Sequence, residues 1–102
     1  MTVVKHIVFW TLKKKALGKS KAENARLIKE KLEVLNGRIP GLLSLEVGFD
    51  FSKTGKSADI ALNCTFANRE DLGNYLVHPE HEAVVPYIMK TVKKFRMADY
   101  EV

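Results

Sequence analysis

The sequence predicts an α+β fold in which a four-stranded sheet carries helices on one face. Three observations predict it. Segments of alternating apolar residues and segments of helical apolar spacing follow one another as strand, helix, strand, strand, helices, strand. Turn residues (Gly37, Pro40, Gly55, Pro79) fall between them. The first strand is apolar on both of its faces, which implies a sheet covered on both sides.

Val3 to Leu12 opens the chain as that strand. Val4, His6, Val8, Trp10 and Leu12 point one way, and Val3, Lys5, Ile7, Phe9 and Thr11 the other. After a basic loop, Ser20 and Glu23 have the spacing of a capping box, in which each side chain bonds the other's backbone N–H. Ala25, Ile28, Leu32 and Leu35 make the helical stripe that follows, and Gly37 and Pro40 end it. Leu43, Leu45, Val47, Phe49 and Phe51 alternate as the buried face of a second strand. Ser52 to Ser57 is a turn, and Ala58, Ile60, Leu62, Cys64 and Phe66 face the core from a third strand. Asn68, with Glu70 and Asp71 behind it, caps a short helix through Leu72 and Tyr75. Pro79 lacks an N–H and disfavours helical geometry at His78, so that helix stops there and a new one starts. Val84, Val85, Ile88, Met89 and Val92 form its stripe, with Pro86 expected to kink or break it. Phe95 to Val102 closes as a fourth strand. This order is the ferredoxin-like split βαβ arrangement. Helices cover one side of such a sheet, so a homodimer packed sheet to sheet is the simplest cover for the other.

Length and composition narrow the class. The 102 residues make one domain, 1–102, and 46% hydrophobic with 28% charged residues describes a folded chain. Cys64 stands alone, which excludes an internal disulfide framework and suits a reducing cytoplasm. No apolar run approaches the roughly 18 residues of a membrane span. The net charge of +5 gathers in Lys13, Lys14, Lys15, Lys19 and Lys21 and again in Lys90, Lys93, Lys94 and Arg96. These read as a solvated rim, and no nucleic-acid partner is expected. The third strand offers no basic-Gly-aromatic signature of the RNA-binding modules that share this topology. Gly55-Lys56-Ser57 looks like the tail of a phosphate loop, but Asp50 stands where its glycine belongs and a strand follows where a helix should.

The stretch richest in chemistry is Tyr75-Leu-Val-His78-Pro79-Glu80-His81. The corner at Pro79 places Tyr75 in the last turn of one helix and His81 in the first turn of the next, aiming a phenol and an imidazole into one space. A histidine titrates near neutrality, so His81 can take and return a proton while Tyr75 orients an oxygen. The plainer alternative makes Tyr75 a helix-end aromatic and His81 a surface residue; neither is a core apolar position. His78 and His81, three apart, also imitate metal ligands with Glu82, but the longer zinc signatures are missing and His78 can serve as a cap. No metal or cofactor is expected. His6 shares its face with Val8 and Trp10 and is either a hydrogen-bonded core histidine or part of a pocket. Cys64, among core positions, is a buried small hydrophobe.

Lys5-His6-Ile7-Val8-Phe9, Ile39-Pro40-Gly41-Leu42, Tyr75-x-x-His78-Pro79-x-His81 and Ala98-Asp99-Tyr100-Glu101, in that order and spacing, resemble the stress-responsive A/B barrel (Dabb) domain family. The resemblance covers almost the whole chain and implies a dimeric α+β barrel. It extends to a plant member that closes a linear polyketide by an intramolecular aldol reaction. The catalytic tyrosine and histidine of that cyclase match Tyr75 and His81, and its first-strand pocket histidine matches His6. By this likeness His81 is the base that removes a proton next to a carbonyl, with Tyr75 holding it through a hydrogen bond. Pocket positions held there by a tyrosine and a histidine fall at Leu32 and Ile60, so the hollow is drier. The expected substrate-binding set is His6, Val8, Trp10, Leu32, Ile60, Leu62 and His78. The implied function is a cofactor-independent cyclase or lyase acting on a carbonyl, polyketide-like compound. The alternative is a non-catalytic dimer that serves in stress response or binds a small apolar ligand.

Overall fold

The computed structural model describes residues 2–102. Its elements are β1 (Val4–Leu12), β2 (Lys15–Ala16), β3 (Lys19–Ser20), α1 (Lys21–Glu33), β4 (Leu42–Phe49), β5 (Ile60–Phe66), α2 (Arg69–Leu76), α3 (Pro79–Glu82), α4 (Val85–Thr91) and β6 (Val92–Glu101). β4, β5, β1 and β6 form one antiparallel sheet in that spatial order, and β2 and β3 make a small hairpin inside the basic loop. This is a ferredoxin-like α+β fold.

The two-residue period of β1 and β5 decides the core. Val4, Val8, Trp10 and Leu12 from β1 and Ile60, Leu62, Cys64 and Phe66 from β5 are buried under the helices, together with His6. Ile28, Leu32 and Leu35 come down on them from α1 and the turn after it, and Leu72, Tyr75 and Ile88 from α2 and α4. The capping box at the start of α1 forms as the sequence indicates: Ser20 Oγ accepts from the Glu23 N–H at 3.2 Å, and the Glu23 carboxylate accepts from the Ser20 N–H. Inside the helix, Asn24 is fully buried. Its amide donates to the Ala16 carbonyl, and its oxygen accepts from the Tyr87 hydroxyl at 2.6 Å, tying α1 to the hairpin and to α4.

Three expectations are corrected. In β4 the pairing with β5 shifts between Leu42 and Ser44, and this bulge puts Leu42, Leu45 and Val47 inward. Leu43 and Phe49 are exposed, and Phe51 lies beyond the strand with 92% of its surface in solvent. Pro86 does not kink a helix already under way. The break comes earlier, at Ala83–Val84, and Pro86 sits in the first turn of α4, where its missing N–H costs nothing. The last strand begins at Val92, because Lys13 N–H bonds the Thr91 carbonyl and brings the chain into register beside β1 at once.

The opposite sheet face carries Lys5, Ile7, Phe9, Ala61, Asn63, Arg96, Ala98 and Tyr100 by register, and no helix lies over it. A hollow of about 690 Å³ is on this side, against Phe9, Gly48, Ala61, Lys94 and Arg96, and none of the histidines lines it.

Candidate active site

α2, α3 and β1 bring three of the anticipated residues to one place. Asn68 caps α2 by accepting the Asp71 N–H, and Tyr75 occupies the last turn of that helix. His78 then caps α3: its backbone is extended, as a residue before proline prefers, and its Nδ1 accepts the Glu80 N–H at 3.1 Å. His81 follows one turn later, half-buried, with its ring 4.3 Å from that of Tyr75. The His6 ring lies 6.3 Å from that of Tyr75, edge on, and the Phe66 ring packs against Tyr75 at 5.1 Å, tilted.

A cavity of about 80 Å³ lies between these rings. His6, Val8, Trp10, Leu32, Leu62, Tyr75 and His81 line it, all of them anticipated. Val85, Ile88 and Met89 of α4 form the remaining wall and were not singled out beyond their helical stripe. Ile60 and His78 are placed elsewhere. Ile60 pairs with Trp10 at the start of β5 and is packed into the core, and the ring nitrogen of His78 is committed to its cap. Among the described residues no group of three or more His, Cys, Asp or Glu side chains is arranged to hold a metal ion.

The hydrogen bonds assign each group a chemical capacity. His81 Nδ1 lies 3.2 Å from the Leu76 carbonyl oxygen, which only accepts, so the proton is on Nδ1 and the Nε2 lone pair is free. Burial holds the His81 ring below its ordinary value of 6.5, toward the neutral form, and the neighbouring His6 adds to this. The Tyr75 hydroxyl is fully buried and has no hydrogen-bond partner. The expected bond from Tyr75 to His81 is therefore absent: the two rings meet at a tilt of 45°, and the Leu76 carbonyl fixes the imidazole instead. Burial also raises the phenol, with the Cys64 thiol as its polar neighbour, and it pushes that thiol up to about 12, so neither group ionises near neutrality.

Sequence reasoning missed Asp99. The carboxylate is 2.5 Å from His6 Nδ1, directly across the β1–β6 ladder, where His6 and Asp99 are register partners. The signal was an acid on the same phase as Phe95 and Met97 in the closing strand, opposite a histidine on a core face. Only the register joins the two.

The fold agrees with that of known proteins. Residues 4–102 match the Stress responsive A/B Barrel Domain (Dabb), and the chain belongs to that family. Among solved structures it is similar to a dimeric protein of unknown function with a ferredoxin-like fold from Bacteroides fragilis, at 32% identity and a TM-score of 0.86, covering 98% of this chain and 96% of that one. A Dabb family protein from Mesorhizobium loti aligns at 23% identity and a TM-score of 0.76, over 98% and 96% of the two chains. The hydroxynitrile lyase of Passiflora edulis shares the fold at 19% identity and a TM-score of 0.81, over 98% and 93%. Comparison with curated proteins gave no match.

Proposed function

We propose that the protein is a cofactor-independent enzyme of the cyclase or lyase type, in which His81 removes a proton from carbon beside a carbonyl group. The observation that carries this reading is the pairing of a free imidazole nitrogen with a buried hydroxyl that has no partner of its own. A native protein rarely leaves such a hydroxyl unpaired, because desolvating it costs about 1–3 kcal/mol. A ligand oxygen bound in the cavity would satisfy it. Tyr75 then donates to the carbonyl oxygen, stabilising negative charge as it develops, while His81 Nε2 acts as the base. His6 completes the polar side of the cavity, and Val8, Trp10, Leu32 and Leu62 supply its apolar walls.

The volume sets the ligand's size. About 80 Å³ is well below the roughly 300 Å³ at which drug-sized pockets begin, so the site takes a small carbonyl compound or one end of a longer polyketide-like chain. The lyase activity of the Passiflora edulis relative supports this class of chemistry on this fold. The dryness of the walls favours a second reading, a dimer that binds a small apolar ligand or serves in stress response without turnover.

The working unit is a homodimer packed through the open sheet face. Phe9 and Tyr100 are about half exposed there, and the buried Asn63 side-chain oxygen on that face lacks a partner within the protomer. The similar Bacteroides fragilis protein is dimeric. No described helix is long and apolar enough to cross a membrane, and the single buried thiol suits a reducing cytoplasm.

The test is turnover of small aldehydes, ketones and cyanohydrins by the wild-type protein and by His81→Asn, with native mass spectrometry for a ligand carried through purification. Turnover that disappears in His81→Asn supports the enzyme. A retained ligand and no turnover of any of these compounds would leave the binding protein.

A further inference from the structure

We propose that His6, anchored by Asp99, is the acid of this site, delivering a proton to the ligand's oxygen while His81 takes one from the neighbouring carbon; this rests on the function proposed above. The cavity imposes the need for an acid. An enolate left charged among Val8, Trp10, Leu32 and Leu62 has lost its water, and burying an unpaired charge is far costlier than burying a neutral enol. Tyr75 cannot be that acid, since burial makes its phenol hold its proton more tightly. It can only donate a hydrogen bond. His81 is the ring that burial keeps neutral.

His6 remains; it is the more deeply buried of the two rings, and its Nδ1 has a different kind of partner. Its Nδ1 donates to a carboxylate rather than to a peptide carbonyl. Two imidazoles facing one dry cavity do not both hold an extra proton, and the charge of Asp99 neutralises the ring that does. With Nδ1 committed to Asp99, Nε2 is the atom left to serve the cavity. Asp99 is free to play this part, because the nearby Arg69 guanidinium is already bound to Glu101 at 2.6 Å. In the step itself the C–H bond breaks and its proton passes to His81 Nε2. The electron pair becomes the new carbon–carbon π bond, and the carbonyl π pair takes the proton from His6 Nε2. The product is the enol, so the ligand class is an aldehyde or ketone bearing a hydrogen on the carbon beside the carbonyl. Return of the proton from His81 Nε2 to carbon, and of the enol O–H proton to His6 Nε2, resets the site.

The Asp99 side chain is 35% exposed, against 6% for His6. It opens outward into a second hollow of about 280 Å³, lined by Val4, Arg69, Leu72, Tyr100 and Glu101. A small carboxylate from solution can therefore reach the place that Asp99 leaves when it is shortened.

The experiment follows deuterium entering butanone in D2O by proton NMR. Asp99→Ala should lose about 10²-fold in exchange rate. Formate added to the variant should restore it by about tenfold or more, without accelerating the wild-type protein. A merely structural carboxylate would show no such rescue. Wild-type exchange in Asp99→Ala, or a folded Asp99→Ala that formate leaves inactive, overturns the inference. Should Asp99→Ala fail to fold, Asp99→Asn keeps the shape without the charge, and undiminished exchange in it is equally fatal. If wild-type protein does not exchange butanone, the proposed function falls. Nitrogen NMR of the histidines in wild-type protein then still decides the placement of the proton. A doubly protonated His6 beside a neutral His81 supports it, and a neutral His6 at neutral pH overturns it.

Discussion

The rings of Tyr75 and His81 stand 4.3 Å apart, centre to centre, across the corner that His78 and Pro79 make, and no hydrogen bond joins them. The corner therefore presents two independent groups to the cavity, a hydroxyl without a partner and a nitrogen lone pair.

Tyr75→Phe separates function from stability. The sequence placed Tyr75 outside the core, yet it is fully buried, so the ring must stay. The hydroxyl contributes no bond to the fold, and removing it relieves a desolvated polar group. Thermal unfolding should show stability unchanged or raised by up to about 1 kcal/mol. Turnover of the proposed carbonyl substrate should fall by about 10²-fold, the usual cost of a lost oxyanion donor. A destabilised Tyr75→Phe would mean that the hydroxyl holds the fold together.

His81 sets a pH dependence. Burial lowers its folded-state value below the unfolded value of 6.5. Between the two the unfolded chain binds more protons, so the stability associated with the neutral ring is present above 6.5 and is lost as pH falls toward the lowered value. Activity, which needs the free Nε2, should likewise persist somewhat below 6.5 before it fails. Denaturant titrations across this range should show a shallower acid-side fall in His81→Asn than in wild type. Equal slopes would place His81 in water in the native state.

Much of this site is legible in the sequence, and the limits are physical. The alternation of β1 placed His6 beside Val8 and Trp10 because a period of two admits only two faces. Pro79 gave the corner because its ring fixes the backbone on both sides. β4 misled because a bulge adds a residue on one strand only, and nothing in Leu42-Leu43-Ser44-Leu45 says which leucine yields. Asp99 was invisible as a partner because it is 93 positions from His6 and meets it only through strand register.

Gly41 tests the turn in the Ile39-Pro40-Gly41-Leu42 segment. Its φ is +83°, and a Cβ there would meet Asp71 Cγ at 2.2 Å. Gly41→Ala should cost about 2–3 kcal/mol and lower Tm by about 10 °C or more. Gly73, within α2, is the contrast: a Cβ there meets nothing within 4 Å. Gly73→Ala should raise stability by about 0.5–1 kcal/mol, since alanine loses less backbone freedom in a helix. Calorimetry on the pair decides, and equal shifts would remove the steric account of Gly41.

Phe9 tests the proposed dimer. It points away from the helices at the middle of the open sheet face and is 45% exposed in the protomer. A two-fold interface uses the same patch on both copies, so each substitution acts twice. Burying a phenylalanine contributes about 2 kcal/mol, and losing it from both sides should weaken association by about 10³-fold. Phe9→Lys also sets a charge against its own symmetry mate and next to Arg96, its neighbour across the ladder. Native mass spectrometry and sedimentation should find a monomer for this variant, with far-ultraviolet circular dichroism unchanged because the core lies on the other face. A Phe9→Lys protein with wild-type mass in solution would show that the copies meet elsewhere, and the open sheet would need a different cover.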